Sequence, residues 1–400
     1  MKTILSTLTS LAALALCAAP KDGPGTYYVP PAGTANVASS AAAPTNAVAR
    51  RTVAFLGGSI TEMNGFRPRV MAQLRAQYPD VAFTEIAAGL SSTCSDVAAF
   101  RFAEDVLAHG VPDLLIVDAA VNDDQDGHFT RARCIRGMEG VIRQARQANP
   151  AMQVVVALFV NHGQFDALAR GETPLPYAAH RAVAEHYGAG VADVGSALAA
   201  AAKAGTFGWE KYRDCHPSPE GCDFAADVVM KSVAAVFDPR AKPVAQTLPA
   251  PMDAGSYGTA ACVPFNAVKR DAGWFVSKPD WSKVPGSKRG YFARGEALWS
   301  VTPGAVCEVA FTGTALAAVL TAGPDAGVLE VSLDDGSWTR QELYMPYSKG
   351  LNYPYARILA DDLANGPHVA KLRVAATARD GVTCSAVRIH RLVTNGCVPK

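Results

Sequence analysis

Apolar residues in the first half of the chain follow two alternating patterns. Short runs that are apolar almost throughout lie at 52–56, 81–87, 114–119 and 154–160, as is typical of strands buried on both faces. Between these runs, apolar residues recur at helical spacing, as at Phe66, Val70, Leu74 and Tyr78. Buried strands that alternate with helices predict a three-layer α/β domain built on a parallel sheet. We assign residues 51–238 to it.

The pattern changes in the second half of the chain. Prolines at 243, 249 and 251 indicate a linker over 239–261. Beyond it, short apolar runs at 306–312, 315–321, 328–333 and 369–374 are separated by turns containing Gly, Pro and Asp. This spacing predicts an all-β domain, a β-sandwich or jelly roll, over 262–400.

The amino-terminal residues have the features of an export signal. Lys2 precedes an apolar run, and small residues follow it at 17–19, so residues 1–19 are predicted to be a signal peptide. A secreted or periplasmic protein is expected, with a lipoprotein as the alternative because Cys17 ends the run. Residues 20–50, rich in Pro, Gly, Ala and Ser, are predicted to be a flexible lead-in. The sequence has no second long apolar run of the kind that would predict a membrane span.

Charge and cysteine content narrow the expected partners. The formal net charge of +1 gives no reason to expect nucleic acid as a partner. Eight cysteines follow the signal, and in an oxidising compartment they favour disulfides, with Cys215–Cys222 as the most local pair and Cys94–Cys134 as a second. Their spacing is unlike that of a zinc site, so no metal or organic cofactor is expected. The sequence leaves the oligomeric state open.

A serine follows the first buried run. Residues 53–56 lead directly into Gly57, Gly58 and Ser59. Glycines permit a sharp turn, which would expose the hydroxyl of Ser59 at the carboxyl edge of the sheet, where ligands bind in open α/β folds. Ser59 is therefore a candidate nucleophile. A plain turn is the alternative, whereas a phosphate loop lacks the Gly-x-x-x-x-Gly-Lys spacing.

Three later residues also follow strands or precede a helix at this edge. Gly89 ends the second strand and offers a backbone N–H, although a lone glycine is most often a turn residue. Asn122 follows the third strand and offers a side-chain amide, although such a loop is usually solvated. His216 lies just before a helix that Ser218 would cap, where an imidazole is well placed to be a base. Their order along the chain, Ser, Gly, Asn, His, is more specific than any one of them.

This ordered set resembles the SGNH hydrolases, the GDSL-like esterase superfamily, over residues 51–237. The resemblance implies a flavodoxin-like sheet, Ser59 as nucleophile and His216 as general base. It also implies an oxyanion hole formed by the N–H of Ser59, the N–H of Gly89 and the side chain of Asn122. The family places an Asp three positions before the histidine, where this chain has Arg213. Either Asp214 orients the imidazole, or a Ser-His dyad uses a backbone carbonyl or another carboxylate.

The resemblance, the export signal and the β-domain together favour a serine esterase that removes acetyl groups from a polysaccharide through an acyl-enzyme on Ser59. The alternatives are a lipase, lysophospholipase or thioesterase of the same superfamily, or a carbohydrate-binding protein without catalysis. The tyrosine-rich stretch 344–355 is the predicted contact surface of the β-domain, and it is also long enough to close over the Ser59 cleft.

Overall fold

The computed structural model describes residues 49–376 and 385–397. The predicted signal peptide at 1–19 and the lead-in up to residue 48 lie outside the described residues, as does Cys384. Among the helices of the described part, none combines the length and the apolar character needed to cross a bilayer.

The first half of the described chain is built on a five-stranded parallel sheet. Its strands are β1 (Ala49–Gly57), β2 (Val81–Gly89), β3 (Leu114–Val117), β4 (Gln153–Ala157) and β5 (Gly190–Ala192), in the spatial order β2-β1-β3-β4-β5. Its helices are α1 (Ser59–Glu62), α2 (Phe66–Gln77), α3 (Ser95–Asp105), α4 (Ala120–Gln125), α5 (Arg131–Ala148), α6 (His162–Ala169), α7 (Leu175–His186), α8 (Val194–Lys203), α9 (Trp209–Tyr212) and α10 (Pro219–Val236). This strand order is flavodoxin-like, which confirms the predicted fold class.

Local sequence explains most of these elements. Strand β3 is buried at all four positions, as its uniformly apolar run predicts. Helix α2 buries Phe66, Val70 and Leu74 on one face, and α10 begins where the Ser218 side chain accepts a hydrogen bond from the Gly221 N–H. These elements therefore form where the periodicity places them, whereas β2, predicted to be buried on both faces, is an edge strand that is partly exposed.

The register of the central strands brings three loops together at the carboxyl edge. Gly57 of β1 pairs with Gly89 of β2, and Leu56 pairs with Val117 of β3. Because these parallel strands end at the same level, the segments that follow them start side by side. The Ser59 turn thus lies between the segments that begin at Leu90 and Asp118.

The second half of the described chain forms a large, mostly antiparallel β-sheet. Its strands are β6 (Ala260–Val263), β7 (Lys269–Arg270), β8 (Phe275–Ser277), β9 (Ser287–Lys288), β10 (Ala297–Ser300), β11 (Val306–Ala322), β12 (Val328–Leu333), β13 (Thr339–Glu342), β14 (Leu351–Ala360), β15 (Gly366–Val374) and β16 (Val387–Cys397), with one short helix, α11 (Gly290–Arg294). This architecture confirms the predicted all-β second domain.

Strand β11 departs from the sequence prediction. The runs 306–312 and 315–321, predicted as separate strands, are one strand. Its register with β16 breaks between Gly313 and Leu316. Residues up to Gly313 also pair with β15, and residues from Leu316 onward also pair with β14. Gly313 has a φ of 151°, a backbone conformation that favours glycine. The glycine that was read as a turn therefore permits a bulge within a continuous strand.

The β-sheet domain packs against α3 and α5 of the first domain. Arg136 of α5 forms ion pairs with Asp361 and Asp362, which follow β14. Arg391 of β16 is bonded to Asp105 of α3 at 3.0 Å. In the predicted linker, Tyr257 is buried, and its ring centroid lies 4.7 Å from that of Phe100. The linker is thus part of the contact between the two halves.

The disulfide predictions at Cys215–Cys222 and Cys94–Cys134 are wrong for this structure. Cys94, Cys134 and Cys222 are free thiols. The sulfur of Cys94 faces the backbone oxygen of Asn122 at 3.3 Å, and that of Cys222 faces the oxygen of Pro217 at 3.5 Å. Burial also raises the pKa of the Cys94 thiol, with Asp123 adding to the effect, which makes Cys94 a poor nucleophile.

Candidate active site

Ser59 is the first residue of α1, immediately after the glycine pair that ends β1. Residues 53–56 of β1 are completely buried, whereas Ser59 itself is partly exposed. A side chain at Gly57 would collide with the carboxylate of Asp118, and one at Gly58 would collide with the amide oxygen of Asn122. The two glycines are therefore needed because polar side chains from the next strand approach the turn closely.

His216 reaches this serine from the other end of the domain. Its Nε2 lies 2.7 Å from the Oγ of Ser59, which is hydrogen-bond distance. The loop that carries it is anchored by the Ser218 N–H, which donates to the oxygen of Tyr212 at 2.9 Å. A serine hydroxyl bonded to an imidazole nitrogen is the arrangement that lets a base accept the hydroxyl proton during nucleophilic attack.

Asp214 lies beside the imidazole without bonding to it. Its Oδ1 accepts a hydrogen bond from the backbone N–H of His216 at 2.6 Å and is 3.8 Å from Nδ1 of the same residue. The sulfur of Cys215 lies 3.6 Å from that Nδ1. A separation of 3.8 Å is too long for a hydrogen bond, so any effect of this carboxylate on the ring acts through space.

Arg213 occupies the position where the sequence resemblance leads one to expect the acid. Its φ is 92°, and its N–H faces the oxygen of Trp209. A non-glycine residue at positive φ is uncommon, and here it marks a sharp change of chain direction between α9 and the His216 loop. This turn brings Asp214, and not Arg213, to the side of the imidazole.

Close packing against α1 explains why position 89 is a glycine. A side chain at Gly89 would run into the backbone of Thr61 and Glu62 in α1. The hydrogen bond to the oxygen of Gly57 comes from the N–H of Leu90 at 2.9 Å and not from that of Gly89. The close approach of α1 accounts for the glycine, and its role as an oxyanion donor stays a prediction.

Asn122 lies in α4 with its side chain buried against the Ser59 turn. Its Nδ2 donates a hydrogen bond to Oδ2 of Asp126 at 2.6 Å. An amide nitrogen carries two hydrogens, so this bond leaves one of them for a second acceptor. The structure thus brings Ser59, His216 and Asn122 together, with Asp214 and Gly89 next to them.

Asp118 is a buried carboxylate that the sequence reasoning did not single out. It follows β3, is bonded to the hydroxyl of Thr61, and accepts a hydrogen bond from the backbone of Gly58. Burial raises its pKa to about 6, an effect that the Thr61 and Gly58 bonds oppose. Asp118 therefore ties the end of β3 to the turn that carries Ser59. It is the first polar residue after a wholly apolar strand, which was the available signal.

Within the described residues, two groups of side chains bring potential metal ligands within 4.8 Å of one another. One is Asp123 with Cys134 and His180, and the other is Asp214 with Cys215 and His216. In the first group, the two oxygens of Asp123 accept from the N–H and hydroxyl of Ser95 at 2.8 and 2.6 Å, and His180 Nε2 is 2.9 Å away. These bonds connect α4 to α3 and α7. The cluster therefore has a structural role in holding α4 in place.

The β-sheet domain contacts the segments on both sides of the Ser59 turn. The hydroxyl of Tyr347 donates to the backbone oxygen of Gln125 at 3.2 Å. Arg289 donates to the hydroxyl of Ser92 at 3.2 Å, in the segment after β2, and Ser92 has a φ of 68°. The stretch 344–355 therefore contacts α4, the helix that carries Asn122, and its role as a contact surface for substrate stays a prediction. Tyr353, within that stretch, is buried, so not every tyrosine of the stretch is available for contact.

Comparison with known proteins places this geometry in a family. The sequence model of the GDSL-like Lipase/Acylhydrolase family matches residues 55–224. Among curated proteins, no sequence matches the chain. The fold resembles the crystal structure of a two-domain esterase active on acetylated mannans, co-crystallised with mannopentaose. That likeness has a TM-score of 0.67 at 19% identity and covers 88% of this chain and 91% of the other.

Two further solved structures match about half of the chain. An acetylxylan esterase from Geobacillus stearothermophilus matches with a TM-score of 0.37 at 16% identity, covering 47% of this chain and 95% of the other. A GDSL-like lipase from Parabacteroides merdae, described as putative in its own record, matches with a TM-score of 0.39 at 17% identity and covers 48% and 100%. The match to the family model identifies residues 55–224 as a domain of the GDSL-like lipase/acylhydrolase family, and the protein is a carboxylic ester hydrolase.

Proposed function

We propose that this protein is an exported serine esterase that removes O-acetyl groups from a polysaccharide. The observation that carries the proposal is the 2.7 Å contact between Ser59 Oγ and His216 Nε2 at the carboxyl edge of the sheet, with Asn122 alongside. The two-domain esterase of similar fold acts on acetylated mannans, and this supports an acetylated polysaccharide as substrate.

In the proposed reaction, His216 Nε2 accepts the Ser59 proton while Oγ attacks the acetyl carbonyl carbon. The carbonyl electrons move onto oxygen, and the N–H groups of Ser59 and Gly89 and the amide of Asn122 stabilise the resulting oxyanion. Collapse of this intermediate breaks the bond to the sugar oxygen, which takes the proton from His216. Water then attacks the acetyl-serine with His216 as base, and acetate leaves as Ser59 recovers its proton.

The imidazolium that forms in each step is stabilised by the negative charge of Asp214. In this arrangement the pair Ser59–His216 performs the proton transfers, and the carboxylate contributes electrostatically at 3.8 Å from Nδ1. No other group is needed to balance the reaction, since water is the only co-substrate.

The test compares the wild type with Ser59→Ala on p-nitrophenyl acetate, butyrate and octanoate, an acetyl thioester, acetylated mannan and acetylated xylan. We expect acetate release by the wild type, fastest on acetate esters, and a loss of at least 1,000-fold in the variant, on the order seen when a serine nucleophile is removed. A preference for octanoate would indicate a lipase, and a preference for the thioester a thioesterase. Equal rates for the two proteins would refute catalysis by Ser59 and leave a binding protein.

Export is tested separately, by determining the amino terminus of the protein recovered after expression of the full chain. Cleavage near residue 19 with recovery outside the cytoplasm is the expected result. A lipid attached to Cys17 would instead identify a lipoprotein, and an intact amino terminus in the cytoplasm would contradict export.

A further inference from the structure

One tyrosine of the β-sheet domain contacts α4, the helix that carries Asn122. Tyr347 lies in the short 3₁₀ turn Pro346–Lys349, between β13 and β14. Its ring stacks on that of Tyr353, with centroids 5.0 Å apart and planes at 22°, and Tyr353 is itself buried. The position of the Tyr347 hydroxyl is thus fixed by packing within the second domain.

That hydroxyl meets α4 of the first domain at its carboxyl end. It donates to the backbone oxygen of Gln125 at 3.2 Å and also lies within hydrogen-bond reach of the Asp126 carboxylate. Asp126 is only 8% exposed, and burial raises the pKa of its carboxyl group. A buried carboxylate needs such donors, because an unpaired one would be costly to keep away from water.

Asp126 in turn bonds the side chain of Asn122. An ionised carboxylate accepts hydrogen bonds and donates none, so it selects the amide orientation in which Nδ2 faces it. In this orientation, Oδ1 of Asn122 lies toward Gly58, and Nδ2 keeps a second N–H for another acceptor. A neutral partner with both donor and acceptor atoms would accept either orientation of the amide.

We propose that Asp126 and Tyr347 are positioning residues that set the Asn122 amide for oxyanion stabilisation, so that the second domain takes part in the hydrolytic step. The inference rests on the proposed function, because it assumes that Asn122 is an oxyanion donor. It assigns the β-sheet domain a role in turnover that is separate from any binding of sugar.

The single variants are Asp126→Asn and Tyr347→Phe, measured on p-nitrophenyl acetate and on acetylated mannan. Removal of one oxyanion donor costs on the order of 100-fold or more, so we expect kcat to fall about 10- to 100-fold for Asp126→Asn and about 3- to 10-fold for Tyr347→Phe. KM should stay within about twofold, since an interaction made only in the transition state is lost. Both substrates should be affected equally.

Tyr291→Phe is the matched control. The hydroxyl of Tyr291, in α11 of the second domain, donates to Oδ1 of Asp105 in α3 of the first domain at 2.7 Å. This variant loses a comparable hydrogen bond without touching α4 and should keep the wild-type kcat. Thermal unfolding of each variant checks that the fold is retained.

A double-mutant cycle with Asn122→Ala decides between positioning and other roles. If Asp126 and Tyr347 act through Asn122, their substitutions have no further effect once the amide is gone. Additive losses in that background would overturn the proposal, as would a raised KM on acetylated mannan alone, which would instead indicate direct contact with sugar. Wild-type activity that depends on Ser59, together with unchanged kcat in Asp126→Asn, would refute the inference while leaving the proposed function intact.

Discussion

Replacing Asp214 by asparagine tests how the imidazole of His216 is supported. Asparagine keeps an oxygen that can accept the backbone N–H of His216, now bonded at 2.6 Å, so the loop should keep its shape. The substitution removes the negative charge that lies 3.8 Å from Nδ1. The perturbation is therefore electrostatic, with little change in geometry.

The size of the effect follows from that distance. Two unit charges 3.8 Å apart interact by about 1 kcal/mol at the dielectric constant of water and by about 4 kcal/mol at an effective value near 20. The side chains of His216 and Asp214 are 31% and 36% exposed, which favours the lower half of this range. We expect a loss of about 1 to 2 kcal/mol in transition-state stabilisation, or roughly tenfold in kcat.

A direct bond between the carboxylate and Nδ1 would give a much larger effect. In serine hydrolases where an Asp fixes the histidine tautomer, replacement by Asn lowers kcat by about 10,000-fold. The assay is kcat on p-nitrophenyl acetate for the wild type and Asp214→Asn, with Asp80→Asn as control. Asp80 pairs with Arg240 and lies just before β2, at the opposite edge of the sheet.

Two outcomes would refute the reasoning. A loss of 1,000-fold or more would show that the carboxylate bonds Nδ1 directly in the working enzyme. An unchanged kcat would show that Asp214 has no electrostatic role and that the pair Ser59–His216 works without a carboxylate at this position.

Three further substitutions test the surroundings of the site. Because the Asp118 pKa is raised to about 6, the folded state holds an extra proton between about pH 4 and 6, and stability falls as the pH rises through this window. Chemical denaturation should therefore show that the free energy of unfolding of Asp118→Asn rises by about 3 kcal/mol relative to that of the wild type between pH 4 and 7. A difference between the two proteins that stays constant with pH would contradict the raised pKa. Gly58→Ala should displace the Asn122 amide and lower kcat about 10- to 100-fold. Circular dichroism should show that the fold is retained, and a wild-type kcat would contradict the close approach of the Asn122 amide to Gly58. Arg136→Met removes the ion pairs to Asp253, Asp361 and Asp362, and we expect the free energy of unfolding to fall by about 1 kcal/mol. Salt at 1 M should largely abolish this loss, and a salt-independent loss would be the contrary result.

Much of the first domain could be predicted because its elements are encoded locally. Uniformly apolar runs and helical spacing gave the order of strands and helices, and parallel strands that end together gave the shared edge for Ser59 and Asn122. The strands of the β-sheet domain were harder to predict, since β11 continues through Gly313, where the sequence pattern predicts a turn. Strand pairing depends on partners far along the chain, which a local pattern does not specify.

The surroundings of the site were decided by tertiary structure. Arg101, on the buried face of α3, donates to the backbone oxygens of Gly57 and Ala88, a use of an arginine that its helical position does not reveal. The cysteines that composition favoured as disulfides point to separate backbone oxygens. Such contacts depend on where strands and helices meet in three dimensions.

The sequence by itself determined an α/β domain with Ser59, Asn122 and His216 in the order of a GDSL-like hydrolase, because end-of-strand positions and glycine turns are local features. The tertiary structure decided that Asp214 stands 3.8 Å from the imidazole and that Tyr347 of the second domain reaches α4. These distances are set by the packing of whole elements and of two domains, so residues more than 200 positions apart in the chain meet at one site.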